Sequence, residues 1–121
     1  MITTAYKKRK TFLKYDDKHY LLYLNEQAGT FTDPETEDVF DGYSYTGDMK
    51  DGSTIIDAED VTNANRRDKF IAGLIATKYS IDAQIATLAN GSQTTARAHE
   101  LAAFEQFRKE CKEKIDELLA R

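Results

Sequence analysis

The 121-residue sequence contains one cysteine, one proline, two histidines and no tryptophan. Cys111 has no second cysteine to pair with, which excludes an internally disulfide-stapled secreted scaffold. No apolar run approaches the roughly 20 residues needed to span a bilayer, so no membrane helix is expected. The early basic cluster Lys7-Lys8-Arg9-Lys10 is not followed by an apolar stretch, and no signal peptide is expected either. A reducing cytoplasmic setting or a virion particle fits these absences. Apolar residues make up 40% of the chain, enough to close one ordinary core without a metal or disulfide at this size. The expectation is one domain over residues 1–121.

What is present is unevenly distributed. Six of the seven tyrosines (6, 15, 20, 23, 43 and 45) precede residue 60, and eleven of the fourteen alanines follow it. Aromatic and β-branched residues suit a pleated surface, whereas alanine is the best helix former. Strands first and helices second point to an α+β domain with segregated elements, a strand half over 1–58 and a helical half over 61–121. Charge divides too. Residues 1–30 carry six bases and three acids, residues 31–60 one base and ten acids, and residues 61–121 ten bases and eight acids. The formal net charge of −4 therefore hides a middle segment at −9, able to create a strong local field.

The strand half reads as an antiparallel meander over about residues 4–57. Strands are expected near 4–15 and 18–24, joined by the polar break Asp16-Asp17-Lys18. The run His19-Tyr-Leu-Leu-Tyr-Leu24 is apolar on both faces, so both should be covered. Thr30-Phe-Thr32 follows as a short strand, then a Pro34 turn. Asp41–Thr46 and Ser53–Asp57 read as a hairpin around Gly47 and Gly52. In the helical half, a helix starting near 61 under an Asp60 or Thr62 cap carries Phe70, Ile71, Leu74 and Ile75, then Ile81, Ile85 and Leu88, ending at Asn90-Gly91. Ser80 offers a second cap, leaving continuity across 79–81 open. Gly73 inside the apolar stripe suggests the close approach of another backbone or ring. A helix over about 95–119 carries Leu101, Phe104, Cys111, Ile115 and Leu118 at heptad spacing, with Phe107 alongside and Arg108 interrupting the seam. The two helices are expected to form a hairpin packed against the meander.

Few residues are placed for chemistry. His19 and His99 lie in no metal-chelating spacing. His99 is twelve residues from Cys111, about 18 Å along one helix, too far for a nucleophile pair. The acids of the middle segment lack the order of a calcium loop, and a solvated edge that blocks strand pairing explains them as well. No catalytic, cofactor or metal residues are assigned. Lys7, Lys8, Arg9 and Lys10, with basic residues as far as Lys18 and interleaved aromatics, form the nucleic-acid alternative, although alternation on a strand splits them between two faces. Arg66-Arg67 reads as a salt-bridge partner for the acidic segment.

Two stretches, Gly42-Tyr-Ser-Tyr-Thr-Gly-Asp with Asp51-Gly-Ser-Thr-Ile-Ile-Asp-Ala, and Arg66-Arg-Asp-Lys-Phe-Ile-Ala-Gly-Leu-Ile with Lys78-Tyr-Ser-Ile-Asp-Ala-Gln-Ile-Ala, resemble small proteins of phages and prophages of gut bacteria, some encoded beside tail or tail-fibre genes. The resemblance covers roughly residues 40–90 and includes no catalytic signature. It implies a virion-associated or accessory protein that acts by binding. The combined expectation is a non-enzymatic interaction or structural protein, without cofactor or membrane, that self-associates or docks on a protein partner. Tyr43, Tyr45, Phe104 and Phe107 are its candidate contact residues.

Overall fold

The computed structural model describes residues 1–121. Six strands precede three helices: β1 (Ile2–Tyr6), β2 (Phe12–Asp16), β3 (His19–Leu22), β4 (Gln27–Thr32), β5 (Val39–Gly47), β6 (Thr54–Asp57), α1 (Arg66–Ala76), α2 (Ile81–Asn90) and α3 (Thr95–Leu119). The fold is α+β, strands first and helices second. The chain divides into two compact units, residues 1–55 with 118–121, and residues 56–117.

The strands form two three-stranded sheets, ordered β1-β5-β4 and β2-β3-β6, with the division between the units falling inside β6. In the first sheet β5 is central and antiparallel to both neighbours, Tyr6 opposite Tyr43 on one side and Phe31 opposite Phe40 on the other. The predicted hairpin across Asp16-Asp17-Lys18 is present as β2–β3, its turn closed by the Lys18 N–H donating to Asp16 Oδ1 at 2.8 Å. Leu21, Leu22, Tyr23 and Leu24 are all buried, as a run apolar on both faces requires.

Two strand expectations need correction. The stretch expected as one strand over 4–15 is two, β1 and β2, because the chain leaves the ladder after Tyr6. The Lys10 N–H donates to the Tyr45 hydroxyl at 2.7 Å instead of to a neighbouring strand. The expected hairpin of 41–46 with 53–57 does not form: β5 pairs with β1 and β4, and β6 belongs to the other sheet. The intervening turn is held by Asp51, whose carboxylate accepts from the Ser53 N–H and hydroxyl, and by Met49 N–H to Ser53 O, which redirects the chain before β6.

The helices also differ from the expected pair. The first begins at Arg66 rather than near 61. Asp60 takes a φ of 53°, and Thr62 and Asn65 bond reciprocally, each side-chain oxygen accepting the other's N–H, which makes a turn of residues 60–65. Ser80 breaks the apolar stripe: α1 ends at Ala76, and Ser80 Oγ accepts the Ala83 N–H at 3.1 Å to open α2. There are thus three helices, the break at Ser80 being one of the two alternatives the sequence leaves open across 79–81. In α3 Phe104, Cys111, Ile115 and Leu118 are buried, and the interrupting Arg108 lays its guanidinium over the Phe104 ring at 5.8 Å.

Gly73 has the expected close neighbour. A Cβ there would lie 2.5 Å from the Asp57 carbonyl oxygen and 3.0 Å from Ile56 Cδ1. Alanine is intrinsically better in a helix by about 1 kcal/mol, but backbone cannot yield as a side-chain end can. Gly73→Ala is therefore expected to lower the urea midpoint, with a net loss of about 1–3 kcal/mol. A raised midpoint would show that residues 56–57 move aside without cost.

Candidate interaction surfaces

Alternation along β1 and β5 places Tyr6, Tyr43 and Tyr45 on one face of the first sheet. Tyr23 joins them at the end of the β3 run. The rings of Tyr23 and Tyr45 meet edge to face with centroids 5.5 Å apart, and Tyr6 stands 6.1 Å from Tyr23 and 6.2 Å from Tyr45. A buried phenol needs a partner for its hydroxyl, and two acidic residues, Asp51 and Glu26, supply these partners. Tyr23 donates to Asp51 Oδ2 at 2.9 Å, while Tyr6 donates to the Asp51 carbonyl at 2.6 Å. Tyr45 donates to Glu26 Oε2 at 2.8 Å.

Glu26 is the more heavily engaged. The Arg9 guanidinium holds it through Nη2 at 2.8 Å and Nε at 3.1 and 3.2 Å. Arg121, whose side chain is 1% exposed, approaches Glu26 Oε2 at 3.5 Å and also donates to the carbonyls of Tyr23 at 2.6 Å and Lys10 at 2.9 Å. Burial pushes the Glu26 carboxyl up, but the hydrogen bonds from Arg9 and Tyr45 and the two guanidinium charges outweigh it and hold the group below its ordinary value. Asp51 is held low likewise, burial being outweighed by the bonds from Ser53 and Tyr23. Burial, reinforced by Glu26, pushes the Tyr45 phenol up to about 12. Burial also raises the phenols of Tyr6 and Tyr23, so that Tyr6, Tyr23 and Tyr45 are neutral hydrogen-bond donors at any physiological pH.

Of the four candidate contact aromatics, Tyr45 and Phe104 lie in the interior of their respective units, at 0% and 1% exposure. Tyr43 and Phe107 are half-buried, each under a cation: Arg9 lies 5.5 Å from the Tyr43 centroid, and Lys78 Nζ 4.9 Å from that of Phe107. The basic cluster is not a single stripe. Lys7 lies over Phe40, Arg9 is on Glu26, and Lys10 lies over Tyr6 and Tyr23, while Lys8 is exposed. Arg67 pairs with Asp116 of α3 at 2.6 Å, not with the acidic segment, which corrects the expectation for that residue. His19 bonds Asp16 at 2.8 Å within the β2–β3 hairpin, and His99 is exposed. Cys111 is buried, and burial pushes its thiol up to about 11, far from a reactive thiolate. No group of three or more His, Cys, Asp and Glu side chains is arranged to hold a metal ion. No helix is long and apolar enough to cross a membrane.

The surface that sequence reasoning placed wrongly is α2. Ile81, Ile85 and Leu88 were expected to continue the core stripe of α1, yet they are 64%, 60% and 54% exposed, and α2 has no buried residue. The signal that could have found this was the Ser80 cap, since a break there frees the second segment from the register of the first. No known family, curated protein or solved structure matches the chain. Its functional reading therefore stands on its own surfaces. One further feature is concave: a cavity of about 760 Å³ beside the first sheet, lined by Ala5, Tyr6, Lys7, Phe31, Phe40 and Ser44 among others. The Phe31 and Phe40 rings stand 6.0 Å apart within it.

The Glu26 cluster makes a stability prediction with a definite sign. A carboxyl whose folded pKa lies below its unfolded value of 4.5 contributes stability that is present above that value and lost as pH falls through the folded pKa. Wild-type stability, followed by urea titration at a series of pH values, should therefore decline below about pH 4.5. Glu26→Gln should flatten that decline while costing about 3 kcal/mol at pH 7, because Arg121 is left buried beside a neutral amide. An unaltered pH profile in the variant would remove Glu26 from this role.

Proposed function

We propose that the chain is a non-enzymatic interaction protein that associates with further copies of itself through α2, in keeping with the virion-associated or assembly role that the phage resemblance implies. The observation that carries this reading is the stripe Ile81, Ile85 and Leu88, spaced i, i+4, i+7 over about 10 Å of helix and exposed to water. Clustered exposed aliphatics on an otherwise ordinary surface mark a contact site. Asp82 is the one charged residue of α2, so a charged partner has little to read there, whereas a second α2 is an equally neutral apolar match. Antiparallel pairing sets Ile85 against its own copy, with Ile81 beside the partner's Leu88, and opposes the two helix dipoles favourably.

The contact is modest in size. Three half-exposed aliphatic side chains leave roughly 300 Å² of apolar surface in water, below the ~800 Å² per partner of a standard interface. Association should accordingly be weak in dilute solution and depend on concentration. The nucleic-acid alternative gains no support from the geometry, since three of its four cations are directed onto rings and a carboxylate.

Sedimentation equilibrium between about 10 µM and 1 mM should show the molar mass rising toward that of a dimer. Ile85→Glu should abolish the rise and leave the melting temperature of dilute protein nearly unchanged, because that side chain is 60% exposed in a single copy. A wild type that stays monomeric throughout would contradict the proposal, as would an Ile85→Glu protein that unfolds, which would make the stripe core.

A further inference from the structure

The β4 edge of the first sheet is a second surface, independent of α2. β4 is an edge strand, since the order is β1-β5-β4. Its residues Gln27, Ala28, Gly29, Thr30 and Thr32 are exposed, and Phe31 is half-buried. The Asp33 N–H donates to Asp38 O at 2.8 Å in the turn that joins β4 to β5. Hydrogen-bonded pairs alternate along an antiparallel ladder, so counting from that pair makes Phe31–Phe40, Gly29–Gly42 and Gln27–Ser44 the bonded pairs. The N–H and C=O groups of Ala28, Thr30 and Thr32 consequently point away from β5, in a row spaced by two residues.

Natural edge strands are usually blunted by lysine, proline, an inward charge or a bulge. None of these occurs between Gln27 and Thr32, and the register of β4 on β5 runs without a shift. The acids lie beside the edge. Asp33, Glu35, Glu37 and Asp38 form the adjoining turn, and Asp41 lies opposite Thr30, whose hydroxyl it accepts at 3.0 Å. Residues 26–41 carry six acids and no lysine or arginine, against the nearby Lys7 and Arg9, so this end of the sheet is net negative. The same end of β4 borders the cavity through Phe31, Thr32 and Asp33.

We infer that the β4 edge takes up an extended segment of a basic partner polypeptide, which adds to the sheet as a fourth strand. Backbone groups of Ala28, Thr30 and Thr32 supply the ladder, and the carboxylates of residues 33–41 select lysine or arginine side chains. A second β4 is a poorer occupant, because it brings no base to these acids. The edge thus differs from α2 in what it recognises, a charged extended chain and not a neutral helix.

The probe is a fluorescein-labelled peptide of about ten residues alternating lysine and threonine, with a glutamate-threonine counterpart, followed by anisotropy at low and at about 0.5 M salt. The lysine peptide should bind more than tenfold more tightly than the glutamate one and weaken with salt. Backbone amide shifts should move at Ala28, Thr30 and Thr32 and not in α2. Ala28→Pro removes an N–H that points outward and that the fold does not use, so it should weaken binding roughly tenfold or more while Ala28→Val binds as the wild type does. Reversing the turn with Glu35→Lys, Glu37→Lys and Asp38→Lys together should do the same. The inference is overturned if the lysine peptide fails to bind at about 1 mM, if a folded Ala28→Pro protein binds it undiminished, or if the shifted amides lie elsewhere. Should Ala28→Pro not fold, the amide map on the wild type decides alone. Failure here would leave the α2 contact untouched, since that is read by molar mass without any peptide.

Discussion

The first compact unit is organised around one half-buried charge, the carboxylate of Glu26. It gathers segments distant in sequence: Arg9 from the link between β1 and β2, Tyr45 from the middle of β5, and Arg121 from beyond α3. Arg121 binds the carbonyls of Lys10 and Tyr23 as well, so the same guanidinium ties the segment before β2 to the segment after β3. Removing a charge from water is costly, and a buried ion pair is weak evidence of net stabilisation. What it provides is a shared constraint: with Glu26 absent, the buried Arg121 loses its carboxylate and the Tyr45 hydroxyl keeps only the longer bond to the Lys10 carbonyl at 3.3 Å. The tyrosine packing, the departure of the chain from the ladder after Tyr6 and the burial of β3 are all consistent with this single geometry.

Much of the fold was legible in the sequence because burial follows pattern. The two-sided apolar run at 19–24, the Asp16-Asp17-Lys18 turn and the heptad-spaced seam of α3 each state their environment through spacing alone. The Glu26 centre was not legible, since its partners are separated by up to 95 residues and no local signal links a glutamate after a strand to an arginine after the last helix. The misplaced hairpin has a related cause. Gly47 and Gly52 bracket a polar tip as a hairpin turn would, but Asp51 spends its carboxylate on Ser53 and Tyr23, and the returning strand goes to the other sheet. At the helix break the rule was visible in Ser80, and the residues on either side did not decide between cap and continuous helix.

The candidate surfaces were legible only in part. Aromatic side chains suggested contact residues, yet in this chain the fully buried ones, Tyr45 and Phe104, complete the interior. Three of the exposed aliphatic side chains form a stripe on α2, where periodicity identical to that of a core helix concealed them. The division of charge in the sequence has a spatial counterpart in the first unit, where the acids of residues 33–41 adjoin an unblunted strand edge and the nearby bases are turned onto rings and onto Glu26. The two contacts proposed differ in kind, one neutral and helical, the other acidic and extended.

The central claim is that α2 is a contact surface and not part of the interior, and hydrogen exchange tests it directly. At low protein concentration the amides of residues 81–90 should exchange much faster than those of β3, and raising the concentration should slow α2 alone. Protection of α2 equal to that of β3 at the lowest concentration, with no dependence on concentration, would contradict the account.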